Sequence, residues 1–176
     1  MRNDTGFKSP LPLSGGGLGW GLRPYGLILA CCVIIIDQIT KYWSTLYLSA
    51  EHVSVFKGFD LVLSHNPGAA FSFLAGASGW QRWFFSALAV GMSLAIYRWL
   101  GRLKPHEKQE ALALSLVLGG ALGNLMDRLC YGHVIDFILL YYQQWSWPAF
   151  NVADAAISLG MILWIPLCFK NPNKCC

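Results

Sequence analysis

The fold of this 176-residue chain is decided by its last apolar stretch, Phe150-Asn-Val-Ala-Asp154-Ala-Ala-Ile-Ser-Leu-Gly-Met-Ile-Leu-Trp-Ile-Pro-Leu-Cys-Phe169. Between residues 152 and 169 the only charged residue is Asp154. About 20 helical residues cross the roughly 30 Å hydrocarbon layer of a bilayer, so the stretch predicts a membrane-spanning helix. A charged carboxylate at membrane depth costs at least a few kcal/mol, which makes Asp154 a candidate functional residue.

Three earlier stretches, at residues 25–48, 83–100 and 111–129, are also long and apolar enough to span a membrane. The composition agrees, since 55% of the residues are hydrophobic and 12% are charged, against roughly 25% charged in an average soluble domain. The sequence therefore predicts an all-α membrane protein with four transmembrane helices.

The segment between the first two spans has β-like character at residues 53–56, 61–63 and 70–73. The turn signatures Lys57-Gly58 and Asn66-Pro-Gly68 punctuate it. This pattern predicts a small periplasmic β-cradle between helices 1 and 2.

Basic residues orient the predicted bundle. They concentrate near the two chain ends and in the loop after the second span, at Arg2, Lys8, Arg23, Arg102, Lys104, Lys108, Lys170 and Lys174. The positive-inside rule then places both termini in the cytoplasm, and the β-cradle and both candidate acids toward the periplasm. The net charge of +4 forms no continuous patch, so nucleic acid is not an expected partner.

The predicted organisation has three parts. Residues 1–22, which include a Gly-rich run, form a flexible cytoplasmic arm. Residues 23–170 form the four-helix membrane domain, and residues 171–176 form a short cytoplasmic tail.

A second acid, Asp136, follows the third span in the sequence Gly132-His-Val-Ile-Asp136-Phe137. Asp154 lies at the start of the fourth span, so both acids fall at the same end of a helical hairpin. Two carboxylates brought together in an apolar setting indicate acid/base chemistry.

Polar residues near the outer end of the third span support this hypothesis. Asn124, Asp127 and Arg128 are spaced i, i+3 and i+4, so they share one helix face. They are interpreted as a network that positions the two acids, or alternatively as an Asp127–Arg128 interfacial cluster that ends the helix.

Two further pairs have helical spacing. Asp37 and Lys41 on the first span form an i, i+4 pair, which favours structural support over chemistry. Asn151 precedes Asp154 by three residues, a spacing compatible with an N-cap of the fourth helix.

Small residues recur every four positions on two spans, at Ala87, Gly91 and Ala95 and at Gly119 and Gly123. Such stripes let helix backbones approach closely in lipid, and both are interpreted as packing surfaces.

Cysteine and histidine positions predict neither a metal nor another cofactor. The cysteines have no metal-ligand spacing, and most lie in predicted spans or in the tail, where disulfides are not expected. His133 and Asp136, three residues apart, remain a weak alternative as a shared metal site.

Five successive motifs of the chain resemble those of the lipoprotein signal peptidase family, also called signal peptidase II. They are Asp37-Gln-Ile-Thr-Lys41, Asn66-Pro-Gly-Ala-Ala-Phe71, Gly119-Gly-Ala-Leu-Gly-Asn124-Leu-Met-Asp-Arg128, Gly132-His-Val-Ile-Asp136-Phe137 and Phe150-Asn-Val-Ala-Asp154. The resemblance runs from about residue 25 to residue 169. The N-terminal arm, Cys175 and Cys176 lie outside it.

The resemblance implies a four-helix aspartyl endopeptidase of the bacterial inner membrane. Such an enzyme removes the signal peptide of a diacylglyceryl-modified prolipoprotein before its lipidated Cys, contacts membrane lipids, and is blocked by globomycin-type cyclic peptides. The family's catalytic dyad maps onto Asp136 and Asp154. Its supporting positions map onto Asp37, Lys41, Asn66, Asn124, Asp127, Arg128 and Asn151.

The paired acids allow two alternative interpretations. A presenilin-type intramembrane aspartyl protease carries Gly-x-Gly-Asp within a helix, whereas Asp136 here follows Val-Ile outside the apolar run. A small proton-coupled transporter spreads carboxylates through the depth of several helices. Clustering of the acids at one end disfavours the transporter.

Overall fold

A computed structural model describes residues 22–48, 52–68 and 79–170 of the chain. The elements in chain order are α1 (Arg23–Tyr47), β1 (Val53–Phe56), β2 (Phe59–Asn66), α2 (Trp80–Leu100), α3 (Lys108–Cys130), β3 (Val134–Tyr142), β4 (Trp145–Ser146) and α4 (Val152–Lys170). All four helices are long and apolar enough to cross a membrane, which confirms the predicted spans. The predicted arm, the tail and the β-like segment at 70–73 lie outside the described residues.

Helix α3 is the central helix of the bundle, because it packs against each of the other three. In the most apolar 18-residue stretch of α3, 61% of the residues are buried, whereas the corresponding stretches of α1, α2 and α4 are only 17–28% buried. The other helices turn large apolar side chains outward, as expected for a surface that contacts lipid.

Glycines permit the close approach of α3 to α4. A Cβ added at Gly120 would collide with the backbone carbonyl of Ala153, and one at Gly160 would lie 2.7 Å from the carbonyl of Ala113. The stripe on α2 differs, since a Cβ added at Gly91 would meet no described residue within 4 Å. Ala87 and Ala95 are exposed as well, so the packing interpretation is wrong for that stripe as far as the described residues go.

The β-cradle is a four-stranded antiparallel sheet in the order β1-β2-β3-β4. The predicted turn is confirmed at Gly58, whose φ of +100° suits glycine. The cradle is larger than predicted, because β3 and β4 come from the connection between α3 and α4. That connection is rich in apolar residues and in exposed aromatic residues such as Tyr142 and Trp145, a composition that also suits an interfacial aromatic belt.

The pairing register of β2 with β3 determines where Asp136 lies in the sheet. Ser64 pairs with Asp136, His65 with Ile135, and Asn66 with Val134. Since successive side chains along a strand point to opposite faces, Asp136 and Ile135 lie on opposite faces of the sheet.

The expectation that cysteines stay out of disulfides is wrong for Cys168. This residue is disulfide-bonded near the end of α4, whereas Cys31, Cys32 and Cys130 are free. The spacing of cysteines along the sequence does not reveal a pairing that depends on how the chain folds.

Candidate active site

A buried ammonium group organises the polar residues of α1 and α3. Lys41 Nζ lies 2.7 Å from Asp37 Oδ2, 2.7 Å from Asp127 Oδ2 and 3.0 Å from Asn124 Oδ1. An ammonium has three N–H donors, so these three acceptors satisfy it fully. The Asp37–Lys41 pair is confirmed, and Asp127 pairs with Lys41 rather than with its neighbour Arg128.

Asp37 links this cluster to the start of α4. Its Oδ1 accepts a hydrogen bond of 2.8 Å from the backbone N–H of Ala153. A carboxylate at this position interacts favourably with the positive end of the helix dipole. The second residue of α4, immediately before Asp154, is thereby fixed against α1.

Asn151 and Asp154 form a reciprocal cap at the same helix end. The backbone N–H of Asp154 donates to Asn151 Oδ1 at 2.9 Å, and the backbone N–H of Asn151 donates to Asp154 Oδ2 at 3.3 Å. This is the capping-box arrangement, with an aspartate in the third helical position. The predicted N-cap is confirmed, and it fixes the orientation of the Asp154 carboxylate.

Two side-chain amides hold the carboxylate of Asp136. Asn151 Nδ2 donates to Asp136 Oδ1 at 2.7 Å, and Asn66 Nδ2 donates to Asp136 Oδ2 at 3.1 Å. The backbone N–H of Gly68 donates in turn to Asn66 Oδ1 at 2.9 Å, which fixes the amide orientation. Asn151 therefore contacts both candidate acids.

Asn124 connects the Lys41 cluster to Asp154. Its Oδ1 accepts hydrogen bonds from Lys41 Nζ at 3.0 Å and from Asn151 Nδ2 at 3.1 Å. Its Nδ2 donates to Asp154 Oδ1 at 2.7 Å. A continuous path of hydrogen bonds thus runs from the buried ammonium to both acids, and such paths make their members interdependent.

The two acids have different environments. Asp136 is 1% exposed, whereas Asp154 is half-buried. Burial, together with the negative charge of Asp154, raises the pKa of Asp136 to about 6. The hydrogen bonds from Asn66 and Asn151 and the charge of Lys41 oppose this shift. The carboxyl of Asp136 therefore retains a proton at a pH where an ordinary aspartate is ionised.

Arg128 lies at the margin of the network. Its Nη1 donates to the carbonyl oxygen of Asn124 at 3.3 Å, and its guanidinium lies 5.3 Å from the ring centre of Phe85. Within the described part of the chain Arg128 forms no ion pair with an acid. Of the predicted contacts with Asn124 and Asp127, it makes only the hydrogen bond to the backbone carbonyl of Asn124.

The sequence left a metal site shared by His133 and Asp136 as a weak alternative. Among the described residues no three His, Cys, Asp or Glu side chains are grouped so that they would hold a metal ion. His133 contacts the ring of His65, which pairs with Ile135 on the face of the sheet opposite Asp136.

Gln38 is a site residue that the sequence interpretation missed. Its Nε2 donates to Asp127 Oδ1 at 2.9 Å and to Asp37 Oδ2 at 3.2 Å. Gln38 and Lys41 are three residues apart in the first motif, a spacing that puts both on one helix face and is the sequence signal for this role.

The fold and the site together define a multi-pass membrane protein with two adjacent carboxylates at one end of its helix bundle. This is the arrangement expected of a membrane aspartic peptidase.

Comparisons with known proteins assign the family. The family described as Signal peptidase (SPase) II matches residues 29–170. The lipoprotein signal peptidase of Cellvibrio japonicus is 49% identical over 148 residues, which cover 84% of this chain and 87% of that protein. The lipoprotein signal peptidase of Pseudomonas aeruginosa is 47% identical over 147 residues, covering 82% and 86%. The chain belongs to the signal peptidase II family.

A solved structure agrees with this assignment. A bacterial membrane enzyme determined at 1.9 Å by the in meso method superposes with a TM-score of 0.74 at 28% identity. The match covers 86% of this chain and 96% of that one. The chain is thus an aspartic-type membrane endopeptidase with the fold of that enzyme.

Proposed function

We propose that Asp136 and Asp154 are the catalytic pair of an endopeptidase that removes signal peptides from prolipoproteins. The observation that carries this proposal is the bridge made by Asn151, which donates to Asp136 Oδ1 through its side chain and to Asp154 Oδ2 through its backbone. One residue therefore holds both acids in a fixed relation, as acid/base catalysis requires.

The proposed reaction uses one shared proton. Two carboxylates in one partly buried site do not both ionise at low cost, so the pair holds a proton between them. The ionised member takes a proton from a water molecule, and that water attacks the scissile carbonyl carbon. The protonated member polarises the carbonyl oxygen and then supplies a proton to the leaving amine. Acid and base roles belong to the pair rather than to either residue.

The surrounding residues are proposed to position this pair. The side-chain amides of Asn66 and Asn124 each donate to one of the acids, so both residues act on the carboxylates themselves. Asp37, Lys41 and Asp127 fix the helices that carry them. Arg128 interacts electrostatically with Asp154 and Asp136, and we propose that it donates hydrogen bonds to the substrate.

The substrate is proposed to bind with its peptide along the β-cradle and its lipid chains between helices. The cradle carries β4 as an edge strand, to which an extended peptide can add through backbone hydrogen bonds. Cleavage falls before the Cys that bears diacylglycerol, and globomycin-type cyclic peptides compete for the same space. No metal ion or covalent intermediate takes part.

The proposed location is the bacterial inner membrane, with residues 23–170 as the membrane domain between the cytoplasmic arm 1–22 and the tail 171–176. The Lys and Arg distribution supports a cytoplasmic location of both termini and a periplasmic location of the acid pair. A reporter fused after Lys174 should be active in the cytoplasm, and one inserted at Lys57 should be active in the periplasm. The opposite pattern would contradict the proposed orientation.

Cleavage by purified protein tests the function against its alternatives. A diacylglyceryl-modified prolipoprotein should be cut before its lipidated Cys, and the same precursor without the lipid should be cut much more slowly. Equal cleavage of an unmodified transmembrane helix would favour a presenilin-type protease. Absence of cleavage, together with proton-coupled uptake into vesicles, would favour a transporter.

A further inference from the structure

An apolar cavity lies between α1 and α3, at the end of the bundle opposite the acid pair. Its volume is about 560 Å³, within the range of about 300–1,000 Å³ that is typical of small-molecule sites. The first two turns of both helices and the loop before α3 form its wall, through residues that include Leu22, Leu29, Pro105, Ala111 and Leu112. At about 1.5 Å per residue, Ala111 lies roughly 20 Å along α3 from Asn124, which contacts Asp154. The cavity is therefore separate from the proposed catalytic pair.

The cavity opens on the outer surface of the bundle and is closed at its floor. Leu112 is exposed and Leu29 is half-buried, so the wall reaches the surface that contacts lipid. The floor lies where the two helices approach closely, since a Cβ added at Gly26 would be 2.7 Å from Ser115 Oγ. That hydroxyl already donates to the carbonyl oxygen of Ala111 at 2.5 Å. The lining therefore suits a hydrocarbon chain that enters from the bilayer.

The rim of the cavity carries an amino group and a phenol. Lys108 and Tyr25 both line the cavity, and both side chains are exposed. Within the described ranges Lys108 forms no ion pair. Lysine and tyrosine near the end of a membrane-spanning helix place their polar tips at the level of the lipid headgroups. The cavity thus combines an apolar wall with a rim that can pair with a headgroup.

The charge around this rim favours an anion. The end of α2, the following loop and the start of α3 contain four basic and two acidic residues, namely Arg98, Arg102, Lys104, Lys108, Glu107 and Glu110. Glu107 Oε2 accepts a hydrogen bond of 2.6 Å from the backbone N–H of Lys104, and Glu110 is buried. Lys108 is also the first residue of α3, where the positive end of the helix dipole adds to the attraction of an anion.

We propose that this cavity binds one anionic glycerophospholipid, with an acyl chain along Leu29 and Leu112 and the phosphate beside Lys108. The Tyr25 hydroxyl donates a hydrogen bond to the same phosphate. In the proposed orientation, on which the choice of leaflet rests, this end of the bundle faces the cytoplasm, so the lipid belongs to the cytoplasmic leaflet. Basic pockets between transmembrane helices on that side bind anionic headgroups.

Lipid binding at this place would hold α1 against α3. The same two helices carry the buried ion pairs of Lys41 with Asp37 and Asp127 near their other ends. A lipid that contacts both helices binds only their packed arrangement, so it should stabilise the folded protein increasingly as the lipid concentration rises. The lipid acts on the stability of the bundle and takes no part in peptide cleavage.

Lipid titration of the full-length, detergent-purified protein, followed by native mass spectrometry, tests the proposal. Dioleoylphosphatidylglycerol and dioleoylphosphatidylcholine share their acyl chains and differ in headgroup charge. The first phosphatidylglycerol should bind to the wild type at least about fivefold more tightly than the phosphatidylcholine and should raise the unfolding temperature. Glycerol 3-phosphate at the same concentration should not raise it, because the acyl chain is needed to fill the cavity.

Two variants and two matched controls locate the binding site. Lys108→Gln should weaken phosphatidylglycerol binding about fivefold, and Leu29→Trp, which fills the cavity, should weaken it at least as much. Arg98→Gln removes an equal charge at the same end of the bundle, and Ile28→Trp adds the same ring at an exposed neighbouring position. Both controls should bind nearly as the wild type does. If Leu29→Trp does not unfold cooperatively, Leu112→Trp replaces it.

A photo-crosslinking residue identifies what occupies the cavity in bacterial membranes. Irradiation of Leu112→benzoylphenylalanine should give an adduct with phospholipid, whereas an adduct with residues 1–21 or with a second copy of the chain would overturn the proposal. Undiminished binding by the folded Lys108 and Leu29 variants, equal binding of the two lipids, or equal weakening by Arg98→Gln would also overturn it. Each of these measurements is independent of cleavage, so their failure leaves the peptidase proposal untouched.

Discussion

Asn151 and Asp154 exchange two hydrogen bonds across the first turn of α4, and Asn151 also donates to Asp136 at 2.7 Å. The residue that begins the helix is therefore also the residue that joins the two acids. Helix capping and the geometry of the proposed catalytic pair depend on the same side chain.

This double role predicts a large effect of Asn151→Ala. The change removes one donor from buried Asp136 and the cap of α4, and each lost contact should cost on the order of 1–3 kcal/mol. Cleavage of lipidated precursor at limiting enzyme should fall by about tenfold or more, and the unfolding temperature should also fall. Gln144→Ala, an exposed amide on the sheet side, is the control. Wild-type cleavage by Asn151→Ala would mean that the bridge is dispensable.

The close packing of α3 against α4 leads to a second prediction. Gly120→Ala should force α4 away from α3, because the new Cβ meets the carbonyl of Ala153, next to Asp154. We expect destabilisation of roughly 1–3 kcal/mol and slower cleavage. Gly91→Ala is the matched control, since its Cβ enters open space. It should leave stability unchanged or improve it slightly, because alanine is the better helix former.

The two glycine variants are compared by measuring their unfolding temperatures and cleavage rates in the same detergent. Equal behaviour of the two would show that α3 and α4 are not closely packed near the acids.

The raised pKa of Asp136 predicts how stability depends on pH. The folded carboxyl binds its proton up to about pH 6, whereas an unfolded aspartate loses it near 3.8. This contribution to stability is therefore present at low pH and is lost as the pH rises through about 6. Asp136→Asn carries no titrating carboxyl, so the wild type should lose about 2 kcal/mol of stability relative to this variant between about pH 4 and pH 7.

Thermal unfolding of both proteins across this pH range measures the difference. A constant difference in stability would contradict the raised pKa. A difference that grew in favour of the wild type with rising pH would indicate a lowered pKa instead.

The four helices were predictable from the sequence, because an apolar run of membrane-spanning length must satisfy its own backbone hydrogen bonds in lipid and a helix does so locally. The predicted span at 152–169 differs from α4 by one residue. Only half of the sheet was predictable. β1 and β2 carry turn signals between them, whereas β3 pairs with β2 across a long sequence separation that no local pattern encodes.

In the candidate site, too, only the contacts within one helix or one turn were predictable from the sequence. The i, i+4 and i, i+3 spacings revealed the Asp37–Lys41 pair and the cap formed by Asn151. The contact of Lys41 with Asp127 joins two helices, and only the packed structure shows that Lys41, rather than Arg128, is the partner of Asp127.

The central claim is that Asp136 and Asp154 act as one catalytic pair. The most direct test measures single-turnover cleavage of lipidated precursor per folded molecule, with chelator present, for Asp136→Asn, Asp154→Asn and the double variant. Asp60→Asn, a buried acid elsewhere on the sheet, is the control and should remain active. Each single change should slow cleavage by at least about 10³-fold, and the double change should add little because the two residues act as a unit. Substantial cleavage by either single variant would contradict the account.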